Sequence, residues 1–153
     1  MKKTILSAVA VGGLVILSQA ASAADDKVAY NGSYCSEYYG SNSASFNHQY
    51  NGIHNNSAST LYVSCPVIVD EVNNVTGTNS VWIYYTGANT LSCTLRSMNF
   101  NGAIRQSMSA NRVGTGWLQI PNITTDDIWG SYSMYCSVPS AGTVNTIVIS
   151  EKP

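Results

Sequence analysis

Covalent cross-links constrain a fold more than any local propensity, and this chain carries four cysteines, Cys35, Cys65, Cys93 and Cys136. Three of them stand in segments with one rhythm. In Thr60–Cys65 the residues Leu61, Val63 and Cys65 share one face, and Thr60, Tyr62 and Ser64 share the other. Leu91, Cys93 and Leu95 repeat the arrangement against Ser92 and Thr94. Tyr132, Met134, Cys136 and Val138 do so again, against Ser131, Ser133, Tyr135 and Ser137. Period-two alternation with cysteine on the apolar side predicts β-strands whose three sulfurs face a core. Cys35 lies instead in a polar, Tyr-rich stretch.

An even number of cysteines in an oxidising compartment reads as two disulfides, with three possible connectivities. The simplest pairs Cys35 with Cys65 and leaves Cys93 to meet Cys136 inside. Each closed loop then contributes about 3–4 kcal/mol in the chain-entropy description. A structural zinc site would also use four thiolates, but such sites favour close C-x-x-C pairs and these spacings are wide. No metal and no cofactor is expected.

The N-terminus supplies the oxidising compartment. Lys2 and Lys3 precede an apolar run from Ile5 to Leu17, and Ala21-Ser22-Ala23 follows in the small-x-small pattern that a signal peptidase reads. The run is too short for the roughly 20 apolar residues of a membrane span. Cleavage after Ala23 is expected to leave residues 24–153 as a single secreted domain, periplasmic or extracellular, with no stable membrane span. Beyond Ala23 the basic residues are Lys27, Arg96, Arg105, Arg112 and Lys152, set against eight acids. No basic stripe forms, so no nucleic-acid partner is expected. Polarity comes mainly from Asn, Ser, Thr and Tyr, a composition suited to neutral ligands.

The remaining segments continue the β pattern. Val81-Trp82-Ile83-Tyr84-Tyr85 is a strand by composition. Asn101-Gly102 joins Thr94–Phe100 to Ala103–Ser109 and predicts a type I′ hairpin, with positive φ at both turn residues. Trp117-Leu118-Gln119-Ile120 is a short strand closed by Pro121. Thr143–Ser150 is the last, with Ile147-Val148-Ile149 buried on both faces. Residues 24–58 are the least regular part. The expected fold is an all-β antiparallel sandwich of about seven or eight short strands, stapled by two disulfides.

Chemistry is sparse. His48 and His54 are the only histidines, and no G-x-S-x-G elbow accompanies them. The paired acids Asp70-Glu71 and Asp126-Asp127 invite two readings, calcium binding through oxygen ligands or glycoside hydrolysis. Asp70-Glu71 has the amide side chains of Asn73-Asn74 at hand, whereas turn or cap duty is the ordinary explanation for Asp126-Asp127. Gly114-Thr115-Gly116 precedes a strand and reads as a turn, not a phosphate cradle. No residue is assigned a catalytic role, and the chain is not expected to be an enzyme.

The aromatics are more suggestive: ten tyrosines and three tryptophans against two phenylalanines. Rings with a polar handle stack on sugar faces and also favour half-wet interfaces. Trp82 and Tyr84 share one strand face, opposite Val81, Ile83 and Tyr85. Either they form an exposed, nearly coplanar ligand platform, or they pack beneath a loop or the second sheet. Burial is the expected outcome for Trp82.

Cys65-Pro66-Val67 at a strand end, Cys93-Thr94-Leu95, and Tyr135-Cys136-Ser137-Val138-Pro139 before a last Ile/Val strand resemble an uncharacterised group of small exported bacterial β-sandwich proteins with four cysteines. The resemblance implies fold and compartment and carries over no functional residue. Three functional readings follow. The leading one is a secreted or surface-associated, non-enzymatic binding module for neutral glycan or another surface protein. The alternative is a structural subunit of an extracellular assembly, using strand edges. A small hydrolase would need acids or histidines to converge in one cleft.

Overall fold

A computed structural model describes residues 26–38, 45–67, 79–123 and 130–151. The expected leader and both acid pairs lie outside the described residues. Among the described residues the chain forms eleven strands and one short 3₁₀ turn, Gly32–Tyr34. The strands are β1 (Asp26–Asn31), β2 (Ser36–Glu37), β3 (Phe46–Gln49), β4 (Gly52–Asn55), β5 (Leu61–Cys65), β6 (Asn79–Thr86), β7 (Thr90–Met98), β8 (Ile104–Val113), β9 (Gly116–Ile123), β10 (Ser131–Val138) and β11 (Thr143–Glu151).

They build two sheets with antiparallel pairing throughout. One runs β3-β4-β11-β6-β9, with β1 also on β11; the other runs β2-β5-β10-β7-β8. Strand β6 pairs with β11 from Thr143 to Ser150. A strand has only two edges, so β4 and β1 share the opposite one. There β4 meets Thr143 and Val144, and β1 meets Thr146 through Glu151. Asn145 is the extra residue at the join. Its amide donates to the Asn51 carbonyl at 2.9 Å, and its side-chain oxygen accepts from the Thr86 hydroxyl at 2.8 Å.

The inner faces follow the alternation. Val81, Ile83 and Tyr85 from β6, Leu118 and Ile120 from β9, and Ile147 and Ile149 from β11 meet Val63, Leu91, Leu95, Met134 and Val138 of the other sheet in one core. Burying a Leu, Ile or Val side chain gains roughly 1.5–3 kcal/mol each, before entropy is counted.

Both disulfides are as expected, Cys35–Cys65 and Cys93–Cys136. Their setting is more specific than the sequence allowed. Cys93 and Cys136 are register partners on β7 and β10, and Cys35 precedes β2 opposite the end of β5. Each bridge therefore ties neighbouring strands within the same sheet, on its core side, rather than one sheet to the other.

A buried amide joins the sheets where the chain passes from β4 to β5. Asn55 is inaccessible to solvent. Its Nδ2 donates to the Ser59 and Val138 carbonyls at 2.8 Å, while Oδ1 accepts from the Ser57 amide and hydroxyl at 2.8 Å. The backbone of Asn55 also bonds Gly142 and Ala141. Every polar atom of the residue is satisfied, as burial requires.

Four sequence expectations need correction. The β7–β8 hairpin forms, but not through a type I′ turn. The Gly102 amide donates to the Asn99 carbonyl, Ala103 closes back onto Asn99, and only Gly102 (φ 82°) has positive φ there. A type I turn followed by glycine in the left-handed region suits the bulged register beyond Ser97. Pro121 does not end β9. Its strand pairs only with β6, and proline tolerates such an edge because no ladder donor is required of it. Residues 24–58 hold four of the strands, short and mostly polar, whose pairing is set by the free edges of β5 and β11. Finally, Val148 is not a core residue; it faces outward between two buried isoleucines.

Candidate functional site

Alternation along β6 sends Val81, Ile83 and Tyr85 inward, so Trp82 and Tyr84 must project from the outer face. The expected burial of Trp82 is overturned: its side chain is 37% exposed. The reason lies in the sheet order. The second sheet packs on the opposite side of β6, and among the described residues nothing folds over the indole.

Neighbouring strands complete the surface. On β9, Leu118 and Ile120 point inward, which turns Trp117 and Gln119 outward. Register places Trp117 beside Tyr84 and Gln119 beside Trp82. On the other side of β6, Val148 pairs with Trp82 and Thr146 with Tyr84. Trp117 is 46% exposed. The Tyr84 and Trp117 rings sit 5.2 Å apart at 59°. They are tilted, not coplanar. Right-handed strand twist turns successive side-chain rows, so rings on adjacent strands do not lie in one plane.

The result is a groove of about 330 Å³ lined by Trp82, Trp117, Val148, Ser150 and Lys27. Two indoles and a valine provide apolar walls, and the ammonium and hydroxyl cap one end. Exposed Gln119 adds an amide that both donates and accepts. Such a surface can hold the C–H face of a ring while satisfying hydroxyls at its rim. Trp117 was the residue that sequence reading left unassigned. Its signal was present, because Leu118 and Ile120 already implied an outward Trp117; only the β6–β9 pairing shows that it lands next to Tyr84.

The histidines do not join this groove. His48 Nδ1 donates to the Ser33 carbonyl at 2.9 Å, and His54 Nδ1 lies 2.8 Å from the Thr143 hydroxyl. They stand on adjacent strands, with His48 opposite Ile53 and His54 opposite Asn47. Among the described residues no three His, Cys, Asp or Glu side chains gather as a metal site. The phenols that burial pushes above the ordinary tyrosine range are Tyr30, Tyr85 and Tyr132, none of which lines the groove. For Tyr132 the nearby Glu151 adds to burial, and the Asn79 amide, 2.9 Å from the hydroxyl, opposes it.

Sequence comparison finds no matching family model and no significant match among curated proteins. Among solved structures, the chain is similar to one described as "Carbohydrate-Binding Module CBM36 in complex with calcium and xylotriose". The two are 19% identical, and the match covers 78% of this chain and 97% of the other, with a TM-score of 0.39. That likeness is too slight to carry a ligand from one protein to the other.

Proposed function

We propose that the mature domain is a secreted, non-enzymatic binding module that holds a neutral glycan chain in the groove between Trp82 and Trp117. The single observation that carries this reading is the exposure of two tryptophans and a neighbouring tyrosine along one outer sheet face. Exposed indoles at adjacent strand positions contribute little to the core, and they match the apolar face of a pyranose. The tilt between Tyr84 and Trp117 favours a single, twisted chain over a flat crystalline surface, since these two rings, 59° apart, cannot both lie against one plane. Two disulfides, an expected cleavable leader and the resemblance to small exported proteins support an oxidising compartment outside the cytoplasm. A glycan array probed with the oxidised mature protein, followed by titration of the best neutral oligosaccharide, tests the proposal. Binding lost in both Trp82→Ala and Trp117→Ala, with melting nearly unchanged, supports it. Undiminished binding by both variants would overturn it.

A second reading, assembly through strand edges, draws on β8. This ten-residue strand pairs only with β7 and exposes Ile104 and Val113. It also bears Arg105 and Arg112, and charge on an edge discourages pairing. The Arg112 guanidinium folds back to donate to the Thr115 carbonyl at 2.8 Å. Concentration-dependent oligomers in light scattering would favour assembly; a monomer across the range favours the binding module.

A further inference from the structure

The outer face of the other sheet carries a second depression, of about 300 Å³, lined by Tyr38, Tyr62, Tyr135 and Arg96. It belongs to different strands and lies on the opposite side of the sandwich from Trp82 and Trp117. Tyr38 and Tyr135 stack with centroids 5.6 Å apart and planes within 12°. Arg96 reaches across from β7, its guanidinium carbon 4.7 Å from the Tyr135 ring centre. Nη2 donates to the Tyr135 hydroxyl at 3.1 Å. Nε is buried and has no acceptor.

That guanidinium is underused. It offers five donors in a planar fork, shaped for a carboxylate. Here it has one neutral phenolic acceptor and a ring face, and among the described residues no carboxylate pairs with it. A half-buried arginine ordinarily finds an anion, because desolvating its charge is costly without one. The surrounding hydroxyls and rings fit the rest of a sugar. Tyr62 is 48% exposed at the mouth, and its phenol pairs an apolar ring with a hydroxyl donor.

We propose that this face binds an acidic sugar, with the uronic carboxylate on the Arg96 fork and the sugar ring against the tyrosines. The site is independent of the neutral-glycan groove and stands or falls separately. The protein's slight net negative charge does not draw anions in general. Selection therefore rests on the one paired contact, and affinity falls with added salt.

The test is calorimetric titration of the oxidised mature protein with three probes: a trigalacturonate, a neutral galactose trisaccharide and triglutamate. The expected result is binding of the trigalacturonate alone at this face, weakened at least about tenfold in Arg96→Gln, as loss of a hydrogen bond to a charged group implies. Trp117→Ala should leave that binding intact, which separates this face from the groove. Should Arg96→Gln fail to fold, Tyr62→Ser at the exposed mouth serves instead and should weaken binding several-fold. No trigalacturonate binding, equal binding of triglutamate, or binding indifferent to both substitutions would each overturn the proposal.

Discussion

The two outer faces of this sandwich are drawn from one vocabulary, tyrosine, serine and threonine with few charges, yet they present different chemistry. On the β11-β6-β9 face, indoles on adjacent strands make an apolar groove whose lone cation, Lys27, stands at its end. On the β5-β10-β7 face, tyrosines surround a guanidinium that lies over one of their rings. The covalent support is equally uneven. Both disulfides lie in the second sheet, and the first is held by packing and hydrogen bonds without a covalent cross-link. Ring area suits a neutral, hydroxyl-rich ligand; a half-desolvated cation suits an anion. The same fold thus presents two chemistries because alternation leaves each outer face free of the core's demands.

The largest perturbation acts on that asymmetry directly. Replacing Cys93 and Cys136 together by Ala should cost about 2–5 kcal/mol, as for native disulfides in small secreted domains. Denaturant titration checks it. A loss below 1 kcal/mol would mean that strand pairing alone secures the second sheet.

Coupling between the faces is tested at Asn55. Asn55→Leu fills the same space but strands the buried Val138 carbonyl and the Ser57 amide, while the Ser59 carbonyl keeps the Ser57 hydroxyl as its donor. Buried groups left without partners cost about 1–3 kcal/mol each, so a loss near 3 kcal/mol is expected by chemical denaturation. An unchanged midpoint would show that water replaces the amide and that the sheets are joined elsewhere.

Next in size is the hairpin of the second sheet. Gly102 has φ 82° and open space around its missing side chain. Gly102→Val therefore meets backbone strain without a clash, worth about 1–2 kcal/mol. A melting temperature indistinguishable from that of the parent would place the turn's stability in Asn99 instead.

On the first face, stability and binding should part company. Trp82→Ala and Trp117→Ala should each lose about 1 kcal/mol or more of glycan affinity, roughly fivefold. Their melting should move far less than the 3–5 kcal/mol typical of emptying a core tryptophan site. A core-sized loss at Trp82 would return that indole to the packed interior.

The smallest effect is a gain. Ala141 holds φ 57° in the turn before β11, where glycine avoids the Cβ penalty. Ala141→Gly should be stabilising by about 0.5 kcal/mol, because relief of strain slightly exceeds the added freedom of the unfolded chain. A loss instead would show that the turn tolerates alanine without strain.

Alternation, read from the sequence alone, determined much of this protein. It put Cys65, Cys93 and Cys136 on core faces, set Trp82 and Tyr84 opposite Val81 and Ile83, and named the all-β class, because a strand's two faces are fixed by backbone geometry whatever it pairs with. Cysteine count left three connectivities open, and the simplest of them, Cys35 with Cys65 and Cys93 with Cys136, is the one that forms. Local signals were weaker where the partner decides the outcome. The short polar strands between Asp26 and Asn55 exist because β5 and β11 offer them an edge, and Pro121 stays in a strand because β9 has no neighbour beyond it. Asn101-Gly102 marked the right hairpin but the wrong turn type, since register beyond Ser97 is bulged. Both candidate sites belong to tertiary structure in the fullest sense. Tyr84 meets Trp117 across 33 positions of sequence, and Tyr38 meets Tyr135 across 97, distances that only strand pairing closes. No periodicity within one segment can state which face another segment will stand beside; that is settled by which edges remain free once the core is filled.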